Sequence, residues 1–185
     1  MDKRIYECLV DCPIISAVRN DMFEEAVNSP CKLVFLLDAD ILNIKERIEK
    51  LHSQNKKAFV HIDLASGIGK DSSGIEFLKN CGADGIISTK IGVIRIAKEK
   101  GMSTVQRIFA LDSQGVFGAI DSVKQANPDF IEVMPGIAFK VVERISVMRI
   151  PVIAGGLIDS KAEVFSALDV GAIAVSTGKK ELWYM

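Results

Sequence analysis

Histidine, tryptophan and excess charge of either sign are scarce in this 185-residue chain, which has two histidines (His52 and His61), one tryptophan, and 23 basic against 24 acidic residues. Two imidazoles offer little material for a transition-metal site, so no metal is expected. A net charge of −1 gives the molecule no global field with which to hold a polyanion without specificity, so any contact with nucleic acid has to be local. No stretch approaches the roughly 18 apolar residues that a membrane span requires. The opening MDKRIYECLVDC also lacks the apolar core of a signal peptide. These absences predict a cytoplasmic protein with no membrane partner. The four cysteines, Cys8, Cys12, Cys31 and Cys81, include one C-x3-C pair with no second pair and no nearby histidine, which is poor zinc spacing. Free thiols, some of them ordinary core residues, are expected.

What the chain has is apolar material in short, regular pieces. At 49% hydrophobic over 185 residues it is long enough for one well-buried core and too short for two ordinary domains, so a single domain over 1–185 is expected. Eight short apolar runs read as strands: IISAVR (14–19), LVFLLDA (33–39), KAFVHID (57–63), DGIIST (84–89), STVQRIF (103–109), DFIEVMP (129–135), IPVIAG (150–155) and AIAVS (172–176). Amphipathic stretches lie between them, such as NIKERIEKLHSQ (43–54) and SQGVFGAIDSVKQA (113–126). Parallel neighbours need a crossover, which a helix supplies, so strict alternation argues for a parallel sheet. Eight units suggest closure into a compact (β/α)8 TIM-type barrel with minimal loops. A doubly wound open sheet is the alternative, but the first strand ends in VRND and not in a glycine-rich dinucleotide turn. The same helix-stopping glycine turn occurs twice, at Gly82 and at Gly171.

In such a barrel, functional side chains gather at the C-terminal strand ends. The polar residues there are Asp38 after strand two, His61 and Asp63 on strand three, Ser88 and Thr89 on four, Gln106 and Arg107 on five, and Glu132 before Pro135 and Gly136 on six. Strand side chains alternate, so His61 and Asp63 are expected to share a face directed at the mouth. Asp38 also has a reading as a helix cap and Gln106 as a satisfied core amide, and His61 is equally readable as a structural hydrogen bonder. Glu132 lies among apolar residues and needs a partner: a ligand, or a cation such as Arg107 or Arg19.

The last two units end in glycine-marked strands, PVIAGG (151–156) and GAIAVSTG (171–178). Such ends let a backbone approach an anion closely, and in (β/α)8 barrels the final two loops often form a phosphate site. Loops near 154–157 and 176–179 are therefore the expected phosphate site, with Gly155, Gly156, Ser176 and Thr177 supplying amides and hydroxyls. The closing KKELWYM reads as a short helix whose N-terminus favours an anion.

Taken together and in order, AVRN, LLDAD, FVHIDLASGIGKD, GIISTK, VQRIF, DFIEVMPG, IAGGLI and STGKKELW resemble the glycerol-3-phosphate-responsive antiterminator family, regulators of bacterial glycerol uptake operons. The resemblance implies a TIM-type barrel without catalytic residues or cofactor. It would bind glycerol 3-phosphate as effector and act on leader messenger RNA to prevent early termination of transcription. It puts the phosphate against Gly155, Gly156, Ser176 and Thr177. The glycerol hydroxyls would face His61, Asp63, Asp38, and Glu132 and Gly136 of EVMPG, with Arg19 and Arg107 supplying positive charge. Asp159 departs from the expected pattern, since a carboxylate there weakens any phosphate contact from that side chain. The glycine-rich loop 64–74 is the expected element to order on binding.

For RNA, the residue-level candidates are Lys90, Arg95, Lys98 and Lys100 near the fourth crossover helix, and Lys179 and Lys180 beside Trp183 and Tyr184. Against this, lysines on barrel helices are commonly solvated surface, Trp183 reads equally as an anchor for the terminal segment, and no KH or RNP sequence is present. The alternative function is a small enzyme acting on a phosphorylated triose or sugar, with Asp63 or Glu132 as general base and Lys90 as amine nucleophile. Oligomeric state is not readable from the sequence, and a homo-oligomer is compatible with it.

Overall fold

The structure, a computed structural model, describes residues 3–185, with Asn20 described by its backbone alone. Residues 1 and 2 of the expected domain lie outside the described residues. Eight strands, β1 (Ile14–Val18), β2 (Leu33–Leu36), β3 (Lys57–His61), β4 (Gly85–Ser88), β5 (Ser103–Phe109), β6 (Phe130–Met134), β7 (Val152–Gly155) and β8 (Ala172–Thr177), form a closed barrel in sequence order. Every pairing is parallel, and β8 closes on β1 through Ile14↔Val175 and Ser16↔Thr177. The strands read as nearly continuous apolar runs because both faces of a parallel barrel are covered. All five residues of β1 and all four of β2 are buried.

Crossover helices α2 (Phe23–Asn28), α3 (Ile44–Ser53), α4 (Ser72–Asn80), α5 (Ile91–Glu99), α6 (Ser113–Ala126), α7 (Phe139–Ser146) and α8 (Lys161–Asp169) form the outer ring. Local chemistry sets their ends. Asp71 accepts from Ser73 and Gly74 N–H at the start of α4, Asp112 accepts from Gly115 N–H at the start of α6, and Ser160 with Glu163 forms a capping box on α8. Gly82 and Gly171, at φ 92° and 101°, turn the chain after α4 and α8 as their spacing predicts.

One helix falls outside the sequence reading. α1 (Lys3–Asp11) precedes β1, and its buried Ile5 and Leu9 close the N-terminal end of the barrel. They pack in one cluster with the inward residues Ile15, Leu33, Phe35, Phe59, Ile87, Val105, Phe130, Ile153 and Ala174. Gly85 makes room in that layer, since a Cβ there would sit 2.5 Å from the ring of Phe59, which stacks on Phe35. The barrel is therefore apolar and plugged below, and its polar inward residues lie above this floor.

Two expectations need correction. β3 stops at His61, and Asp63 lies in a 3-10 turn (Ile62–Leu64), so strand alternation does not govern its direction. The chain after β8 forms a 3-10 turn (Lys180–Tyr184) and not an α-helix, so it brings no helix dipole to the mouth.

Candidate functional site

The polar centre of the mouth is a fully buried carboxylate. Register places Arg107 beside Glu132 across β5 and β6, and Gly155 beside Ser176 across β7 and β8. Arg107 Nε donates to Glu132 Oε2 at 2.6 Å, and Ser176 Oγ donates to Glu132 Oε1 at 2.6 Å. The second bond crosses over β7, which is possible only because that strand carries glycine: a Cβ on Gly155 would lie 2.5 Å from Glu132 Oε1 and 2.7 Å from Ser176 Oγ. Burying an ion pair is costly unless further hydrogen bonds support it, and here each carboxylate oxygen accepts one. The Nη atoms of Arg107 have no partner among the described residues, and Arg107 lines the cavity above.

That cavity, of about 430 Å³, is lined by Arg19, Arg107, Glu132, Gly156, Ser176 and Thr177, all expected at the site, together with Lys179 and Asp159. Met22, Leu37, Leu64, Met134, Leu157 and Ile158 supply its apolar wall. Gly156 and Leu157 both have left-handed backbones, at φ 76° and 58°. Such a conformation is uncommon for a branched, bulky residue like Leu157. The amides of Gly156, Leu157 and Gly178 have no acceptor among the described residues. Thr177 is committed differently: its hydroxyl donates to Ile158 O at 2.9 Å and accepts from Lys179 N–H at 3.0 Å, tying the β7 and β8 loops together. Trp183 fastens this arrangement from outside through Nε1–H to Thr177 O at 2.8 Å, which is the anchoring role.

The N-terminus of α8 is already occupied. Glu163 Oε2 accepts from the Asp159 and Ser160 amides, both at 2.9 Å, and the first turn of α8 does not line the cavity, so an anion there is left with the strand-end amides and the cations. Gly136 lies behind the cavity, its N–H donating to Gly155 O at 2.6 Å and Gly156 O at 2.9 Å, and so braces the β6 loop against β7.

Other expected residues fall outside the cavity lining. His61 is buried beside the Arg107–Glu132 pair, and its Nδ1 has no partner among the described residues. Burial, reinforced by the Arg107 charge, depresses its pKa from 6.5 to about 4, so the ring is neutral. Asp63 turns toward β4 and accepts from Ser88 Oγ, Thr89 N–H and Thr89 Oγ at 2.7, 2.7 and 2.9 Å. Burial opposes ionisation there, but these three bonds hold the carboxyl below its ordinary pKa. Asp38 pairs with Arg47 of α3 at 3.3 Å, and Arg47 stacks on Phe23. Gln106 is a buried amide whose Nε2 donates to Ser122 Oγ, while its Oε1 has no partner among the described residues, so it is not the fully satisfied core amide of the alternative reading.

The basic candidates divide similarly. Arg95 donates to Gln125 O at 3.0 and 2.7 Å and Lys98 donates to Asn127 O, so both serve the C-terminal end of α6. Lys100 pairs with Glu76, and Lys180 with Glu25. Lys90 is exposed at the start of α5, and Lys179 is exposed on the cavity rim. Sequence reasoning missed the apolar wall and assigned Lys179 to RNA alone. Its adjacency to STG was the available signal.

No helix among the described residues is long and apolar enough to cross a membrane, and no group of three metal-ligating side chains occurs among them. A family model described as "Glycerol-3-phosphate responsive antiterminator" matches residues 14–183. A crystal structure of the glycerol uptake operon antiterminator regulatory protein from Listeria monocytogenes is similar at TM-score 0.88 and 34% identity, covering 94% of this chain and 95% of that one. A glycerol uptake operon antiterminator-related protein from Thermotoga maritima is similar at TM-score 0.82 and 36% identity, covering 93% and 98%. The uncharacterised Escherichia coli K12 protein YgcP is 35% identical over 174 residues, covering 92% of this chain and 91% of its own length.

Proposed function

Because the chain belongs to the glycerol-3-phosphate responsive antiterminator family, we propose that it binds glycerol 3-phosphate in the mouth cavity and, so loaded, binds leader messenger RNA of glycerol-utilisation genes. The observation that carries the ligand assignment is the cavity itself. Unbonded amides of Gly156, Leu157 and Gly178 stand beside Arg19, Arg107 and Lys179, a donor set suited to a phosphate dianion. The glycerol part would lie toward Glu132 and Ser176, whose hydrogen-bonded pair presents a polar floor to a short polyol.

The carboxylates argue against the enzymatic reading. A general base must reach the proton it removes, and Asp63 lies outside the cavity lining, bonded to Ser88 and Thr89, while Glu132 is fully buried and held by Arg107 and Ser176. Regulation then works by linkage: if ligand and RNA prefer the same conformation, each raises the other's affinity by the same factor. The test is leader-RNA retention with and without glycerol 3-phosphate, alongside a search for turnover of the effector. Retention that rises with effector and falls steeply with added salt, without product, is expected. Retention indifferent to effector, or turnover at an enzymatic rate, overturns the reading.

A further inference from the structure

A second chemically distinctive cluster lies at the opposite end of β1 and β2. Cys12 sits between α1 and β1, with its N–H bonded to Cys8 O at 3.0 Å, and Cys31 immediately precedes β2. β1 and β2 are paired from Ile15↔Leu33 onward, so the segments carrying Cys12 and Cys31 enter the barrel on neighbouring strands. Cys12 Sγ donates to Ile14 O at 3.8 Å, and its side chain and that of Cys31 are neighbours that act on each other. Cys31 is fully buried, whereas Cys12 is partly open to solvent.

Lys56 lies next to this pair, 4% exposed, its Nζ donating to Ser29 O and to Cys31 O. No carboxylate pairs with it among the described residues, and a buried ammonium without an anion is expensive. The anionisable groups acting on it are the two thiols. The neighbouring Cys31 side chain lowers the Cys12 pKa to about 6 against the opposing effect of burial, while Cys12 in turn pushes Cys31 up. Burial raises Cys8 and Cys81, so neither shares this character.

We propose that Cys12 and Cys31 form a reversible disulfide, with Cys12 the thiolate that a hydroperoxide oxidises and Cys31 the thiol that resolves it. In the first step the Cys12 sulfur attacks one peroxide oxygen, the O–O bond breaks, and after one proton is taken up Cys12 is a sulfenic acid, with water released from hydrogen peroxide or an alcohol from an organic hydroperoxide. In the second the Cys31 sulfur displaces the hydroxyl from Cys12, the S–S bond forms, and the thiol proton leaves with it as water. A dithiol reductant reverses the bond. The pair is connected to the mouth, because Cys31 Sγ donates to Trp183 O at 3.6 Å and Trp183 holds Thr177. Oxidation removes that donor.

The test is mass spectrometry of the intact protein treated with hydrogen peroxide, then of its tryptic peptides before and after dithiothreitol. The expected result is a loss of two hydrogen masses, a reducible link between peptides 5–19 and 20–32, and persistence of that link in Cys8→Ser but not in Cys12→Ser or Cys31→Ser. Iodoacetamide at about pH 7 should label Cys12 ahead of Cys8 and Cys81. A Cys8–Cys12 bridge, sulfinic acid on Cys12 without a link, or an unreactive Cys12 overturns the proposal.

Discussion

Gly155→Ala is the smallest change that attacks the buried polar centre, and its cost can be worked from the structure. Gly155 lies in β7 and is not among the residues with positive φ, so alanine fits the backbone and the penalty is one of space. The new Cβ would arrive 2.5 Å from Glu132 Oε1, 2.7 Å from Ser176 Oγ and 3.0 Å from Glu132 Cδ. Glu132 cannot retreat cheaply because Oε2 is held by Arg107 at 2.6 Å. The Ser176 bond must break, losing a hydrogen bond to a charged group worth about 1.5–3 kcal/mol. Residual overpacking adds about 1–3 kcal/mol. A total on the order of 4 kcal/mol lowers Tm by roughly 10 °C in a chain of this size. Scanning calorimetry measures it, with Gly118→Ala as control. Gly118 lies within α6 with open space around its Cβ position, so that change is expected to stabilise by up to about 1 kcal/mol. A Tm within about 2 °C of wild type for Gly155→Ala would refute the reasoning.

His61 predicts a pH dependence. Its folded pKa of about 4 lies below its ordinary 6.5, so between these values the unfolded chain takes up a proton that the folded one refuses. Stability therefore falls as pH drops from 6.5 to 4, by about 3 kcal/mol from this residue, and His61→Gln should flatten that part of the curve in denaturant titrations. An equally steep curve in the variant would contradict the assignment. At the rim, Arg19→Ala and Lys179→Ala should each weaken glycerol 3-phosphate binding about tenfold, the low end for a charge-assisted contact. Both side chains are exposed, so Tm should stay nearly unchanged, and unaltered affinity in calorimetric titration would move the phosphate elsewhere.

Much of the barrel was legible because each strand is a short apolar run and each crossover begins or ends on local chemistry: Asp71, Asp112 and Ser160 at helix starts, Gly82 and Gly171 at helix stops. The α1 plug was not, since one turn carrying Ile5 and Leu9 among charged residues does not announce what it covers. Glu132 among apolar neighbours signalled that a partner was needed, and Arg107 was one of two cations named for it. The destination of Asp63 was hidden because it depends on where β3 stops, a boundary fixed by the hydrogen bonds of the turn. Asp38 and Arg95 look alike in sequence whether they face a ligand or a neighbouring helix. Only the partners Arg47 and Gln125 separate the two cases.

The central claim is that a phosphate-bearing polyol occupies the mouth of this barrel. Isothermal titration with glycerol 3-phosphate, compared with glycerol and with inorganic phosphate, tests it most directly, with thermal stabilisation of the same samples as the linked readout. The account predicts saturable one-site binding of glycerol 3-phosphate, weaker binding of phosphate and none of glycerol, with Tm rising in that order. Binding no tighter than that of phosphate, or full binding retained when Arg107 is replaced by alanine, would contradict it.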